Sequence, residues 1–305
     1  MKIRPAVKSD KVEVLKFCVD TFEWGDYISD VWDLWYSERN GVLLVAEYEE
    51  SSVHIRKHLP VIGVSHASLL PGSKSVWLEG IRVNSKYRRR SVATELINKM
   101  VLYGKGQGAK EASAMVSKSN IASQLMMEKN GFSVVSKWNY YRVDEIPKRA
   151  IKIELRPRIA TFEDSEMIWN YLRWSKIYES SGKTYVNSWQ WHPLDPSSDI
   201  LADLIRNKKV LVVGRYDKIR GLAIINKGNK YIDSGHSFQI VYLDAPDVFV
   251  LKDLIRFVIN LIRSGDEIYD RIQVFSPQTT TQVSAAMVEV GMKRSEQFLL
   301  YKREI

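Results

Sequence analysis

The sequence predicts an α/β protein with a mixed sheet, assembled from two halves of similar design. Two observations carry that expectation. Short β-branched-rich runs alternate with amphipathic helical stretches, and the opening and closing patterns of the first half recur in the second. The 305 residues, 45% hydrophobic and 27% charged, suit two domains of about 150 residues each.

The first half opens with Ile3-Arg4-Pro5-Ala6, then Asp10, then apolar residues at Val14, Leu15, Cys18 and Phe22, which reads as strand, cap and helix. Runs 42–47 and 61–69 are strands separated by a polar hairpin-like loop, and the turn Pro71-Gly72-Ser73 leads into a third strand over 76–83. A helix over 93–102 shows Leu96, Ile97, Met100 and Val101 on one face, and 112–116 is a further strand. Asn120 precedes Gly131-Phe132 by eleven residues, with Ala122, Leu125 and Met126 at helical spacing between them.

The polar stretch 142–154, containing Pro147, marks a boundary between domains 1–148 and 152–305. The second half then repeats the pattern. Arg158-Ile159-Ala160, Asp164 and the series Met167, Ile168, Tyr171, Leu172 echo the start, and Thr280 precedes Gly291-Met292 by eleven residues. The offset is 154 residues at the front and 160 at the back. Tandem duplication accounts for matching ends and matching length together; the alternative is the loose likeness of any two α/β domains.

Composition narrows the function. The net charge of +9 draws anions, yet the basic residues are dispersed except at Tyr87-Arg88-Arg89-Arg90, and no zinc spacing or nucleic-acid-binding motif is present. Neither nucleic acid nor a membrane is expected as a partner, since no apolar run reaches the length of a span and no apolar leader opens the chain. Cys18 is the only cysteine and falls in an apolar-periodic stretch, which excludes an internal disulfide and a thiolate metal site. No metal is expected, the expected compartment is the cytoplasm, and the oligomeric state is open.

The chemistry centres on residues 83–96, where a strand runs through a short basic turn into an amphipathic helix. The first turn of a helix leaves backbone N–H groups without partners and carries the positive end of the dipole, so it suits an anion. Small residues at Ser91 and Ala93 let phosphate oxygens approach, and Arg88, Arg89 and Arg90 add charge. An Arg-rich turn by itself is as often a solvated surface.

Arg88-Arg89-Arg90-Ser91-Val92-Ala93 after a strand ending in Val83, together with Asn120 and Glu128-Lys129-Asn130-Gly131-Phe132, resembles the GNAT N-acetyltransferase superfamily. The resemblance covers residues 1 to 145 well and the remainder weakly. It implies two tandem GNAT-like domains and acetyl-coenzyme A as acetyl donor. It further implies that Ile81, Arg82 and Val83 bind the pantetheine arm through their backbone. Arg88, Arg89, Arg90, Ser91, Val92, Ala93 and Thr94 would bind the pyrophosphate, and Asn120 the lower part of the cofactor. Ser91 stands where the family has glycine, and Met127 where many members carry a tyrosine general acid.

An amine is protonated near neutral pH and needs a base before it can attack a thioester. By the same resemblance Glu79, in Leu78-Glu79-Gly80-Ile81, takes that role; the alternative is an ion pair with Arg82. Tyr140, Tyr141 and His66 are further proton donors by nearness in sequence only. The stretch 22–35 holds three tryptophans among several acids, and the resemblance places the acceptor pocket there, with Trp24, Tyr27 and Trp32 as substrate contacts; core packing of the helix is the other reading.

The expected reaction is acetyl transfer to a primary amine of a small molecule or amino acid in a ternary complex. A protein N-terminus or lysine is the second acceptor class, and an acyl-coenzyme A-binding module without turnover is the third reading. In the second half, Asp244-Ala245-Pro246-Asp247 replaces the basic loop, so coenzyme A binding is not expected there, and Trp189-Gln190-Trp191-His192-Pro193 is either a substrate-facing or a packing loop.

Overall fold

The computed structural model describes residues 1–19, 21, 25–48, 59–215, 218–228, 236–278 and 281–305. The chain divides into two compact units: Met1–Ala114, Ile121–Ser133 and Tyr301–Ile305 form the first, and Met115–Asn120 with Val134–Leu300 form the second.

The first unit runs β1 (Lys2–Pro5), α1 (Asp10–Cys18), α2 (Ile28–Ser37), β2 (Gly41–Glu47), β3 (Val61–Leu69), β4 (Ser75–Val83), α3 (Val92–Gly106), the start of β5 (Glu111–Ser117) and α4 (Ile121–Lys129). Its strands lie in the order β1-β2-β3-β4-β5. The first pairings are antiparallel; β4 and β5 are parallel, over Ser75↔Glu111 to Trp77↔Ser113, and the register goes no further among the described residues. Helix α3 lays Leu96, Ile97, Met100 and Val101, all buried, on the sheet, the face that its spacing predicts. The approach is close: a Cβ on Gly104 would collide with Val76 Cγ1. Cys18 is buried, and burial pushes its thiol up to about 12, so it is a core residue with little thiolate character.

The second unit holds β6 (Ser133–Val143) from Val134 on, β7 (Arg158–Ile159), α5 (Ser165–Arg173), α6 (Lys176–Ser180), the hairpin β8 (Thr184–Asn187) and β9 (Gln190–Pro193), and α7 (Ile200–Arg206). It continues through β10 (Val210–Arg215), β11 (Lys218–Lys227), β12 (Ser237–Asp244), α8 (Val248–Ser264), β13 (Arg271–Pro277), α9 (Thr281–Glu289) and β14 (Lys293–Glu304) as far as Leu300. The strand order is β14-β6-β13-β12-β11-β10-β7. The parallel pair β12–β13 registers from Ser237↔Arg271 to Ile240↔Val274, so Val241–Asp244 lie beyond the recorded ladder, as Leu78–Val83 do in the first unit. Segment 151–155 is fastened to α8: Asn260 exchanges two hydrogen bonds with Ile151, and buried Asp253 accepts the Glu154 and Leu155 amides.

The repeat seen in sequence has a physical counterpart at both ends of each half. Arg4 makes a bidentate pair with Asp10 (2.7 and 2.9 Å), while the Val7 amide donates to the same carboxylate. Arg158 grips Asp164 identically (2.6 and 2.7 Å), with the Thr161 amide as third donor, and holds that carboxyl below its usual range. At the other end Gly131 and Gly291 both adopt φ +79°, where they terminate α4 and α9 through Phe132 N–H→Met127 O and Met292 N–H→Met287 O. Thr280 of the proposed repeat lies outside the described residues, as do Phe22 and Trp24.

Candidate functional site

In the first unit β4 delivers the chain into a tight turn at Ser85–Tyr87, whose Asn84 side chain accepts the Lys86 amide at 3.1 Å. Arg89 (φ +62°) and Ser91 (φ +60°) are then both left-handed. That conformation suits glycine and strains an L-residue by about 1–2 kcal/mol. It brings the chain into α3 with Ser91 at the N-cap making no side-chain cap. The first-turn amides of Val92, Ala93 and Thr94 therefore have neither an intrahelical acceptor nor a capping side chain among the described residues. Arg88, Arg89 and Arg90 are exposed around this end, and Arg90 is held over the rings of Tyr48 and Tyr87 (5.6 Å each) with Nη1 donating to the Tyr48 hydroxyl at 3.2 Å. Ile81, Arg82 and Val83, half-buried, lead up to the turn in the part of β4 beyond the β5 ladder.

Glu79 lies four residues before the end of β4, at a bulge. The β3–β4 register shifts between Val64 and His66, Gly80 takes φ +66°, and His66 stands opposite Glu79. His66 is fully buried, with Nδ1 3.0 Å from Glu79 Oε1 and Nε2 3.1 Å from Glu38 Oε2, the latter an ion-pair distance without hydrogen-bond alignment. The imidazole stacks on Trp35 (4.5 Å between centroids, 7° between planes), and the Trp77 indole N–H donates to the other Glu79 oxygen at 3.3 Å. Burial opposes charging His66, but the two carboxylates outweigh it and raise its pKa above the ordinary value. The cluster runs from Glu79, side chain 13% exposed, through a sealed imidazole to Glu38, 31% exposed.

Glu79 thus pairs with His66, while Arg82 is taken by Asp26 (Nε–Oδ2 2.7 Å). Arg82 also lies over the Tyr27 ring at 5.2 Å, and Tyr27 meets Trp35 edge-on at 6.0 Å. Much of the acid-rich stretch is therefore occupied structurally: Asp26 by Arg82 and Asp33 by Lys11. Trp32 is completely buried, and its Nε1 has no hydrogen-bond partner among the described residues; Trp24 lies outside them. Met127, where the resemblance implies tyrosine, is buried core. Tyr140 and Tyr141 belong to the second unit, where Tyr140 packs among Trp189, Phe275 and Phe298 and the Tyr141 hydroxyl meets Ser284 at 2.9 Å. Asn120 ends the turn after β5, its amide donating to Ser117 O at 3.0 Å, and counts with the second unit. Of the proton donors named from sequence, the fold brings His66 to Glu79. Glu38 and Trp35 were not singled out for this cluster; the register across the turn after β3 is the one signal that links 66 to 79.

The second unit answers the same need differently. Helix α8 is capped by Asp247, whose carboxylate accepts the Val250 amide at 2.9 Å and stands 3.6 Å from Arg220. A resident carboxylate occupies the anion-seeking helix end. Asp244, fully buried, is hydrogen-bonded by the hydroxyls of Tyr171, Ser175 and Tyr242. In the 189–193 stretch, Ser188 and Trp189 form a left-handed two-residue hairpin turn (φ +51° and +64°), and Trp191 is buried edge-on to Trp138 and Phe275. Among the described residues no cluster of His, Cys, Asp and Glu is placed to hold a metal, and no helix is long and apolar enough to cross a membrane.

Residues 11–132 match the Acetyltransferase (GNAT) family. Among solved structures, a GCN5-related N-acetyltransferase from Sphaerobacter thermophilus aligns over 99% of this chain and 95% of its own, at 12% identity and TM-score 0.62. A glucosamine N-acetyltransferase region of a fungal multi-domain β-N-acetylglucosaminidase aligns over 99% of this chain and 38% of its own (11%, TM-score 0.61). A tandem GNAT protein from the clavulanic acid biosynthesis pathway aligns over 99% of this chain and 98% of its own (10%, TM-score 0.53). At such identities the likeness is one of fold, and it extends the GNAT fold over both halves. No curated protein matches the sequence.

Proposed function

We propose that this chain, whose residues 11–132 match the acetyltransferase (GNAT) family and whose fold is similar to that of a tandem GNAT protein, is an N-acetyltransferase that moves an acetyl group from acetyl-coenzyme A to a primary amine of a small molecule or amino acid. The observation that carries the reading is the uncapped N-terminus of α3, preceded by Arg88, Arg89 and Arg90 and following in the chain the strand that carries the Glu79 bulge. The amides of Val92, Ala93 and Thr94 bind the pyrophosphate, with Ser91 small enough for close approach. Ile81, Arg82 and Val83 offer backbone groups to the pantetheine arm, which adds as a strand. Asn120 remains an expectation of the family resemblance.

Glu79 takes the proton of the incoming ammonium; the free amine attacks the thioester carbonyl, the C–N bond forms, the C–S bond breaks, and coenzyme A leaves as the thiolate and is then protonated. His66 fixes the Glu79 carboxylate, with Glu38 at ion-pair distance on the other side of the ring. Tyr27 lies beside this cluster and is the substrate contact best placed for the role; Trp32 acts through the core instead. The acceptor amine is a small molecule rather than a protein or nucleic acid, and the protein works in the cytoplasm with its single cysteine reduced. Residues 1–148 form the acetyl-transferring half, and 152–305, with Asp247 capping α8, a half that does not bind coenzyme A.

Acetyl-coenzyme A raises the melting temperature of the wild type, and Arg89→Glu with Arg90→Glu abolishes the shift; no shift at saturating cofactor would sink the proposal. A binding module without turnover is the second reading, favoured by buried Met127 in the place of a tyrosine. Glu79→Gln separates the two: in the enzyme it removes thiol release from acetyl-coenzyme A while the thermal shift persists.

A further inference from the structure

The second unit contains a cavity of about 600 Å³ at the end of β12, within the size range of small-molecule sites. Asp244 lines it together with Tyr171, Trp174, Ser175, Ile219 and Lys218, so a mostly apolar chamber has a buried carboxyl in its wall. Neither half of the acetyl-transfer reading uses it.

The hydrogen bonds around Asp244 define what the cavity can accept. Oδ2 receives Ser175 Oγ (2.5 Å) and Tyr242 Oη (2.6 Å), and Oδ1 receives Tyr171 Oη (2.8 Å). A carboxylate has about four acceptor sites, so one remains on Oδ1. All three hydroxyl protons point at Asp244. Ser175 is saturated further by the Ile177 and Tyr178 amides, whereas Tyr171 keeps oxygen lone pairs for a ligand. Around Asp244 the wall therefore presents acceptors and no spare hydroxyl donor, which favours a cation at that end, while Asn170, Gln282, Lys176 and Lys218 offer N–H donors elsewhere in the lining. No cation pairs with Asp244 among the described residues, and burial raises its pKa above the ordinary carboxylate value. A buried carboxylate without a counter-charge is costly, and a bound ammonium removes that cost.

The rest of the lining sets the body of the ligand. Trp174, 85% exposed, Ile219 and Ala245 supply apolar surface, and Lys176 and Lys218, with no ion pair among the described residues, add positive charge for an anionic end. We infer that this cavity binds a small amino acid with an apolar side chain, its ammonium seated on Asp244 and Tyr171 and its carboxylate toward the lysines. The site is separate from acetyl transfer and stands or falls without it.

Isothermal titration of the full chain with L-phenylalanine tests the assignment, with 3-phenylpropionate as the probe that lacks the ammonium. Saturable heat is expected with L-phenylalanine and none with 3-phenylpropionate. Asp244→Asn weakens binding about ten-fold or more, the loss expected for a charged hydrogen bond. Since Asp244 is buried, Trp174→Ala at an exposed wall position provides a variant that keeps its fold, and it weakens binding several-fold. Glu79→Gln leaves the heat unchanged, which keeps the cavity distinct from an amine site in the first unit. Absence of saturable heat, equal binding of 3-phenylpropionate, or binding that is lost in Glu79→Gln and kept in Trp174→Ala overturns the inference.

Discussion

Gly80→Ala is the substitution whose consequence the structure fixes most tightly. Gly80 holds φ +66° at the bulge in β4, and a Cβ built there would lie 2.6 Å from Cζ3 and Cη2 of Trp35. The left-handed backbone costs an alanine about 1–2 kcal/mol. Displacing a buried indole from a packed core costs about 1–3 kcal/mol more. The first unit therefore loses roughly 2–5 kcal/mol in all, measured as the shift in its urea transition. Trp35 stacks on His66, which contacts Glu79, so the displacement also reaches the proposed base. Turnover of acetyl-coenzyme A should fall more than its affinity does, because the pyrophosphate amides on α3 are untouched. A loss below about 0.5 kcal/mol, within the range of neutral surface changes, would refute the strain-and-clash reasoning.

Ser91→Gly relieves the left-handed strain at φ +60° but frees the unfolded chain, leaving a net gain of about 0.5–1 kcal/mol by urea melting and tighter acetyl-coenzyme A binding. His66 has a folded pKa above its unfolded value near 6.5. Its ion pairs thus contribute fully below that value and fade as pH rises through the folded pKa, and Glu38→Gln lowers the midpoint seen by NMR. His192 behaves in the opposite sense, since burial lowers it to about 4. Stability should therefore fall by up to about 3 kcal/mol as pH drops from about 6.5 to 4, because the unfolded state protonates first; a pH series of urea melts on His192→Gln should show that slope removed.

What could be read from residues alone was local. The strand–cap–helix opening with its Asp10 and Asp164 recurs at the same spacing in both halves, and the structure adds that Arg4 and Arg158 clip those two carboxylates. The terminating glycines Gly131 and Gly291 and the apolar face of α3 follow from helix geometry in the same way. In the acid–aromatic stretch the charges and rings are visible in sequence but their partners are not. Asp26 binds Arg82, 56 residues away, and Trp32 turns wholly into the core.

The sequence by itself determined the α/β halves, their repeat and the basic turn before a helix, because each depends on periodicity and spacing within a few residues. Tertiary structure alone decided that Glu79 meets His66 rather than Arg82, that Glu38 and Trp35 complete that cluster, and that Asp244 is sealed among three hydroxyls at a cavity. Such contacts are set by strand register, bulges and burial, which join residues far apart along the chain. The two kinds of knowledge meet at Ser91. Its identity departs from glycine in sequence, and its φ of +60° shows why glycine belongs there: the turn that opens the α3 amides requires a left-handed residue, whatever side chain occupies it.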